Sequence, residues 1–155
     1  MWRRQYDRAI AENQRAISLD PNFSYAYFFR ADILSILARP QEAITMAEKG
    51  MRLDPVNRDL YLYEVGFANV VLGRYPEAIA ALHRNVAAYP NSLPGHLYLA
   101  IAYVELGREA EARAEAKEVL RVSPQFSTEL YEKSPVPNDR LLKRFAADMR
   151  GAGLK

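Results

Sequence analysis

Cysteine is absent from this sequence of 155 residues, which excludes disulfide bonds, thiolate nucleophiles and sulfur-ligated metals. Histidine is scarce. His83 and His96 are the two present, and neither has a carboxylate or a second histidine three or four residues away, the spacing of a helical metal site. Each is expected to be a core or half-buried imidazole rather than a ligand or a base. No sign of charge dominates, since 21 Lys and Arg against 19 Asp and Glu leave a net charge of +2. That balance is no footprint for nucleic acid, which requires a concentrated basic face. Long apolar runs are missing too. The most apolar stretch, Tyr25 to Ala38, is interrupted by Arg30 and Asp32 and is too short to span a bilayer. The opening residues, Met1 to Gln5, lack the apolar core of a signal peptide. The chain is therefore expected to be soluble and cytoplasmic, or periplasmic if a parent protein is membrane-anchored. No alternating β-branched run argues for a sheet, and no glycine-rich loop could cradle a phosphate. No catalytic arrangement and no cofactor site emerge, so no enzymatic activity is expected.

What is present is a repeat. Four segments end on proline: YDRAIAENQRAISLDP at Pro21, PQEAITMAEKGMRLDP at Pro55, YPEAIAALHRNVAAYP at Pro90 and EAEARAEAKEVLRVSP at Pro124, with spacings of 34, 35 and 34 residues. Each carries an alanine at one fixed place, namely Ala9, Ala43, Ala78 and Ala112. A small residue there lets two helices approach closely, because interaxial distance follows side-chain size at the contact. Proline then stops the helix. Between the helices of a pair the chain reads Leu37-Ala38-Arg39-Pro40, Leu72-Gly73-Arg74-Tyr75 and Leu106-Gly107-Arg108-Glu109. Gly73 and Gly107 suit a left-handed helix end, and Pro40 and Pro76 suit the first turn of the next helix. The extra residue of the longer interval belongs in the loop Val56-Asn57-Arg58.

A period of about 34 residues with helix–turn–helix content resembles the tetratricopeptide repeat family, over roughly residues 6 to 124. The resemblance implies an all-α fold, a right-handed superhelix of antiparallel helix pairs. The expected array, residues 1–124, has a leading single helix at 6–20 and complete repeats at about 24–55, 59–90 and 93–124. Residues 125–155 form a C-terminal capping segment. It also implies a protein-binding module. First helices of such an array line its concave surface. By matching repeat places, the expected partner groove comprises Tyr25, Phe28, Asp32, Ser35, Tyr63, Phe67, Val70, Leu97, Ile101 and Glu105. The set is apolar and aromatic, and would hold a protein partner as a helix or an extended peptide. The family's clamp for acidic chaperone tails uses lysines, asparagines and an arginine. At the matching places stand Phe28 and Asp32, then Glu64, then Pro94 and Tyr98, so that activity is not expected and Asp32 and Glu64 would repel a carboxylate.

Both ends depart from the repeat. The leading helix lacks a first helix beside it, so either the chain is part of a longer protein or its apolar flank, with Trp2, Tyr6 and Ile10, is covered by another segment or by a second copy in a homodimer. Beyond Pro124, Ser127 to Lys133 reads as a short helix and Ser134-Pro135-Val136-Pro137 as a break. Asn138 or Asp139 can then cap a last helix running to about Arg150, with Gly151 beyond its end. In that helix Leu141, Leu142, Phe145 and Met149 share one face, while Arg140, Lys143, Arg144 and Asp148 can stay in water. The tail, Asp139-x-x-Leu142-x-x-Phe145 and then Met149-Arg150-x-Ala152-Gly153-Leu154, resembles the ends of bacterial repeat proteins linked to class III nucleotide cyclases or winged-helix regulators. That resemblance implies a sensory region of a multidomain signalling protein as the alternative function.

Three polar features remain. Glu109, Glu111, Glu115 and Glu118 alternate with Arg113, Lys117 and Arg121, which reads as a solvated helix face laced with ion pairs. Asn69 and Asn85 sit at places that face the core in the family. They either bond each other or nearby backbone and fix the register, or loosen the middle repeat and reach water.

Overall fold

The computed structural model describes the backbone of residues 2–134, 136 and 138–155, with side chains from Tyr6 onward. Pro135, Pro137 and the side chain of Trp2, on which parts of the expectations above rest, lie outside the described residues. Among those described the chain is all helix and turn. The helices are α1 (Trp2–Leu19), α2 (Ser24–Ile36), α3 (Pro40–Leu53), α4 (Arg58–Leu72), α5 (Tyr75–Ala88), α6 (Leu93–Glu105), α7 (Glu109–Val122), α8 (Thr128–Glu132) and α9 (Asp139–Gly151). The pairs α2/α3, α4/α5 and α6/α7 are the three repeats, and each second helix also packs on the first helix that follows it.

The turn within each repeat is closed in one way. Ala38, Gly73 and Gly107 occupy the left-handed region, with φ of 56°, 74° and 69°. The following arginine then donates its N–H five residues back, Arg39 to Leu34 O, Arg74 to Asn69 O and Arg108 to Tyr103 O, at 2.8 to 2.9 Å. These bonds satisfy carbonyls that the helix end leaves orphaned. The extra residue of the longer interval lies in α4 and not in the loop before it. The first helices open at Ser24, Arg58 and Leu93, at the same distance from the preceding proline, and α4 has 15 residues where α2 and α6 have 13. Ala43, Ala78 and Ala112 are fully buried where paired helices touch, whereas Ala9 on the unpaired α1 is exposed.

First helices touch along the array, α2 with α4 and α4 with α6, which puts them on the inner side of the curve. The larger core cluster joins α4 to α7 with α9, and a smaller one joins α2, α3 and Ala68. Asn138 caps α9 by accepting the Leu141 N–H at 3.1 Å. Gly151 is the last residue of that helix rather than the residue past it. The chain reverses instead at Gly153, with φ of 98°. Leu142, Phe145 and Met149 are buried as their shared face required. Arg144 and Asp148 are not fully in water: Arg144 Nη2 donates to Val70 O at 3.1 Å, and Asp148 is half-buried.

Candidate functional site

A ladder of aromatic rings runs along the inner face. Phe28 lies 6.2 Å from Tyr63, centroid to centroid, and Tyr63 lies 6.2 Å from Phe67. Phe67 stacks on Tyr98 at 4.5 Å, and Tyr98 meets Phe145 of α9 edge-on at 5.6 Å. The last rung therefore belongs to the tail. α9 starts beside the end of α2, where Asn138 Nδ2 lies 3.5 Å from Ile36 O, reaches α4 through Arg144 and Val70, and packs on α6. Beyond closing the last repeat, the tail occupies the C-terminal half of the concave groove.

The expected groove residues divide accordingly. Tyr25 and Glu105 are exposed, and Phe28, Asp32 and Tyr63 are half-buried. Ser35, Phe67, Val70, Leu97 and Ile101 are buried, so the structure corrects their reading as exposed contacts. The tail is the reason: Phe67, Leu97 and Ile101 share one core with Phe145, Met149 and Leu154 of that segment. Glu105 is turned toward that segment as well. Burial and the Glu105 carboxylate push Asp148 up to about 7, with Arg144 opposing.

The N-terminal half stays open. A groove of about 700 Å³ is lined on one side by Phe28, Phe29, Asp32, Tyr63 and Glu64, and on the other by Asn85 and the Tyr89-Pro90-Asn91-Ser92 loop. The loop wall is held by buried polar groups. Asn85 donates to Asp59 O at 3.0 Å and accepts from the Ser92 hydroxyl at 2.8 Å, which ties α5 to the starts of α4 and α6. Asn69 bonds Val65 O at 2.9 Å, one turn back in its own helix. Both amides thus find nearby partners, and they do not bond each other. His96 is buried as expected, and both ring nitrogens face acceptors: Glu115 Oε2 at 2.6 Å and Pro90 O at 3.0 Å. Arg121 reaches the same Pro90 carbonyl at 2.8 Å and Asn91 Oδ1 at 3.0 Å. Glu115 is therefore an interior partner rather than part of a solvated face. The other three glutamates do form surface pairs with Arg113, Arg108 and Arg121. His83 is exposed and bonded to the Tyr103 hydroxyl at 2.6 Å.

Two acids mark the floor. Burial pushes the Asp32 carboxyl up to about 6, against a hydrogen bond with Tyr63 that lowers it. Glu64 is fully buried, and neither carboxylate oxygen has a hydrogen-bond partner. Burial first, and the nearby Asp32 second, hold its pKa well above the usual carboxylate range. Reading Glu64 only as an obstacle to an acidic ligand missed it as a feature of the site. Counting back nine residues from the turn residues Ala38, Gly73 and Gly107 gives Phe29, Glu64 and Tyr98. A lone carboxylate between two rings at one repeat place was the available signal.

Among the described residues no cluster of His, Asp and Glu is arranged to hold a metal ion, and no helix is long and apolar enough to cross a membrane.

Profiles described as tetratricopeptide repeat match residues 24–57 and residues 72–132. No curated protein matches the sequence. Among solved structures, a crystal structure of MamA has 21% identity and a TM-score of 0.64, covering 95% of this chain and 86% of that one. MamA 41-end from Desulfovibrio magneticus RS-1 has 16% identity and a TM-score of 0.62, over 98% of this chain and 93% of that one. YrrB, titled a TPR protein with an unusual peptide-binding site, has 21% identity and a TM-score of 0.58, over 95% and 79%. At these identities the likeness shows the fold.

Proposed function

Because the fold is a tetratricopeptide repeat solenoid, we propose that the protein is a non-catalytic binding module whose protein partner lies in the open, N-terminal half of the concave groove. The observation that carries this reading is the groove itself. Its aromatic side chains stand opposite a loop already fixed by Asn85, His96 and Arg121, so little ordering entropy is lost when a peptide enters. Tyr and Phe offer large contact area with few rotatable bonds, which suits them to anchor a helix or an extended segment. Tyr25, exposed beside Phe28 and Phe29, extends the apolar surface beyond the groove. In a longer signalling protein, as the resemblance of the tail suggests, this groove would be the part that reads the effector.

The test is a selection of peptides from a random display library on the intact protein. Selected peptides should bind Phe28→Ala/Tyr63→Ala at least tenfold more weakly, with the helical circular dichroism spectrum unchanged. Peptides that bind this double variant as well as the wild type would move the site elsewhere.

A further inference from the structure

We infer that the open groove receives a cationic side chain, a lysine or arginine of the partner peptide, onto the carboxylates of Glu64 and Asp32. The inference rests on the reading of the groove as a peptide site and adds what the peptide must carry. Asp32 and Glu64 both line the groove, and among the described residues no Lys, Arg or His does. Burial holds both acids toward their neutral forms while the groove is empty. An entering cation would favour their charged forms in a partly desolvated space, where charge interactions are stronger than in water.

Glu64 supplies the independent observation. It is fully buried and both oxygens are unpartnered. Elsewhere the array satisfies its buried amides and its imidazole: Asn85 has Asp59 O and Ser92, and His96 has Glu115 and Pro90 O. Other unpartnered buried atoms exist, and those of Asn13, Ser35, Tyr61 and Thr128 belong to neutral groups. Arg144 Nε and Asp148 Oδ2 belong to two ionisable side chains that lie near each other, whereas both oxygens of Glu64 are without a partner. An acid left without partners and out of water destabilises the free protein, and a donor carrying positive charge would let it ionise and bond. The surroundings suit such a donor. Phe28 and Phe29 stand edge to face at 5.7 Å, and Tyr63 lies 6.2 Å from Phe28, so rings flank the path of an ammonium or guanidinium group. Aromatic faces attract such cations, and the side chain's methylene stem gains apolar contact on the way.

The experiment uses the display selection in parallel on wild type and Glu64→Gln, a nearly isosteric change that keeps hydrogen-bonding capacity and removes charge. Wild-type selections should converge on peptides with one fixed lysine or arginine beside apolar residues, and Glu64→Gln selections should lose that basic position. For a selected peptide, replacing the basic residue by methionine should weaken binding to wild type at least tenfold and to Glu64→Gln less than twofold. Wild-type peptides with no fixed basic residue, still lost on Phe28→Ala/Tyr63→Ala, would overturn the cationic preference and leave the groove standing. Selected peptides indifferent to all these substitutions, or no peptide selected at all, would overturn both.

Discussion

α2 and α6 hold the same place in the first and third repeats and are both 13 residues long, yet they end in different environments. α6 is buried without a break from Gly95 to Tyr103. α2 buries Ala26, Tyr27, Ala31, Leu34 and Ser35 and leaves Tyr25 and Phe29 exposed. Matching places make the contrast sharper: Phe28 is half-buried where Leu97 is buried, and Asp32 is half-buried where Ile101 is fully buried. The repeat supplies the same inner surface to both halves of the groove. What lies on that surface decides whether it becomes core or site. At the C-terminal half the chain's own tail lies there, and the residues beneath are aliphatic or tightly stacked. At the other half the described residues leave a groove beside Phe28 and Phe29, the tail reaching only as far as Asp32 and Ile36, and the same places carry acids and tilted rings.

The largest way to break this contrast is to remove one anchor from each half. Phe145 is buried in the main core, so Phe145→Ala should destabilise by about 3–5 kcal/mol. Phe28 is half-buried on the open side, and Phe28→Ala should cost about 1 kcal/mol, the share of burial that it makes. Urea unfolding with comparable m-values measures both. Equal losses would mean that the open half is as much core as the closed one.

A second difference is electrostatic. Asp32 has its pKa raised from 3.8 to about 6, chiefly by burial. Its folded-state pKa lies above the unfolded one, so stability from this group is fully present below pH 3.8 and is lost as pH rises through about 6. Asp32→Asn should remove that slope and raise stability at pH 8 by at most about 3 kcal/mol, given 1.36 kcal/mol per pKa unit. Asp148 in the closed half, raised to about 7, has the same sign of dependence. It is partly exposed and faces Arg144, so Asp148→Asn should flatten the profile less. Thermal melts from pH 4 to pH 8 check both. A wild-type profile unchanged by Asp32→Asn would remove the acid from the account of the groove.

The array was legible because its causes are local and repeated: alanine at each close contact, proline after each pair, a turn residue at each fixed place. The cap at Asn138 and the apolar face of α9 were legible for the same reason. Where that face docks was not, since the contact of Arg144 with Val70 spans 74 residues and leaves no periodic trace. Burial of Leu97 and Ile101 follows from that docking, so their exposure was misread. The partnership of His96 with Glu115 joins two helices across 19 residues, beyond any spacing rule within one helix. Glu64 was legible in principle, as the odd residue between Phe29 and Tyr98. Its lack of partners appears only once the neighbours are in place.

The smallest expected effect concerns the turns, where the first repeat differs from the other two. Ala38 adopts φ of 56° at a place that Gly73 and Gly107 fill elsewhere. A left-handed conformation costs an L-residue roughly 1–2 kcal/mol, whereas glycine adopts it freely. Glycine also widens the unfolded ensemble, which offsets about 0.4–1 kcal/mol of the gain. Ala38→Gly should therefore stabilise by about 0.5 kcal/mol, and Gly107→Ala should destabilise by a similar amount. Nothing lies within 4 Å of a Cβ built at Gly107, so a loss there reports backbone conformation and not a clash. Chemical denaturation of the two variants beside wild type measures the pair. Opposite signs of comparable size would show that the three turns are one device with a poorer residue in the first. A loss at Ala38→Gly would mean that the alanine methyl contributes packing that its half-open repeat relies on.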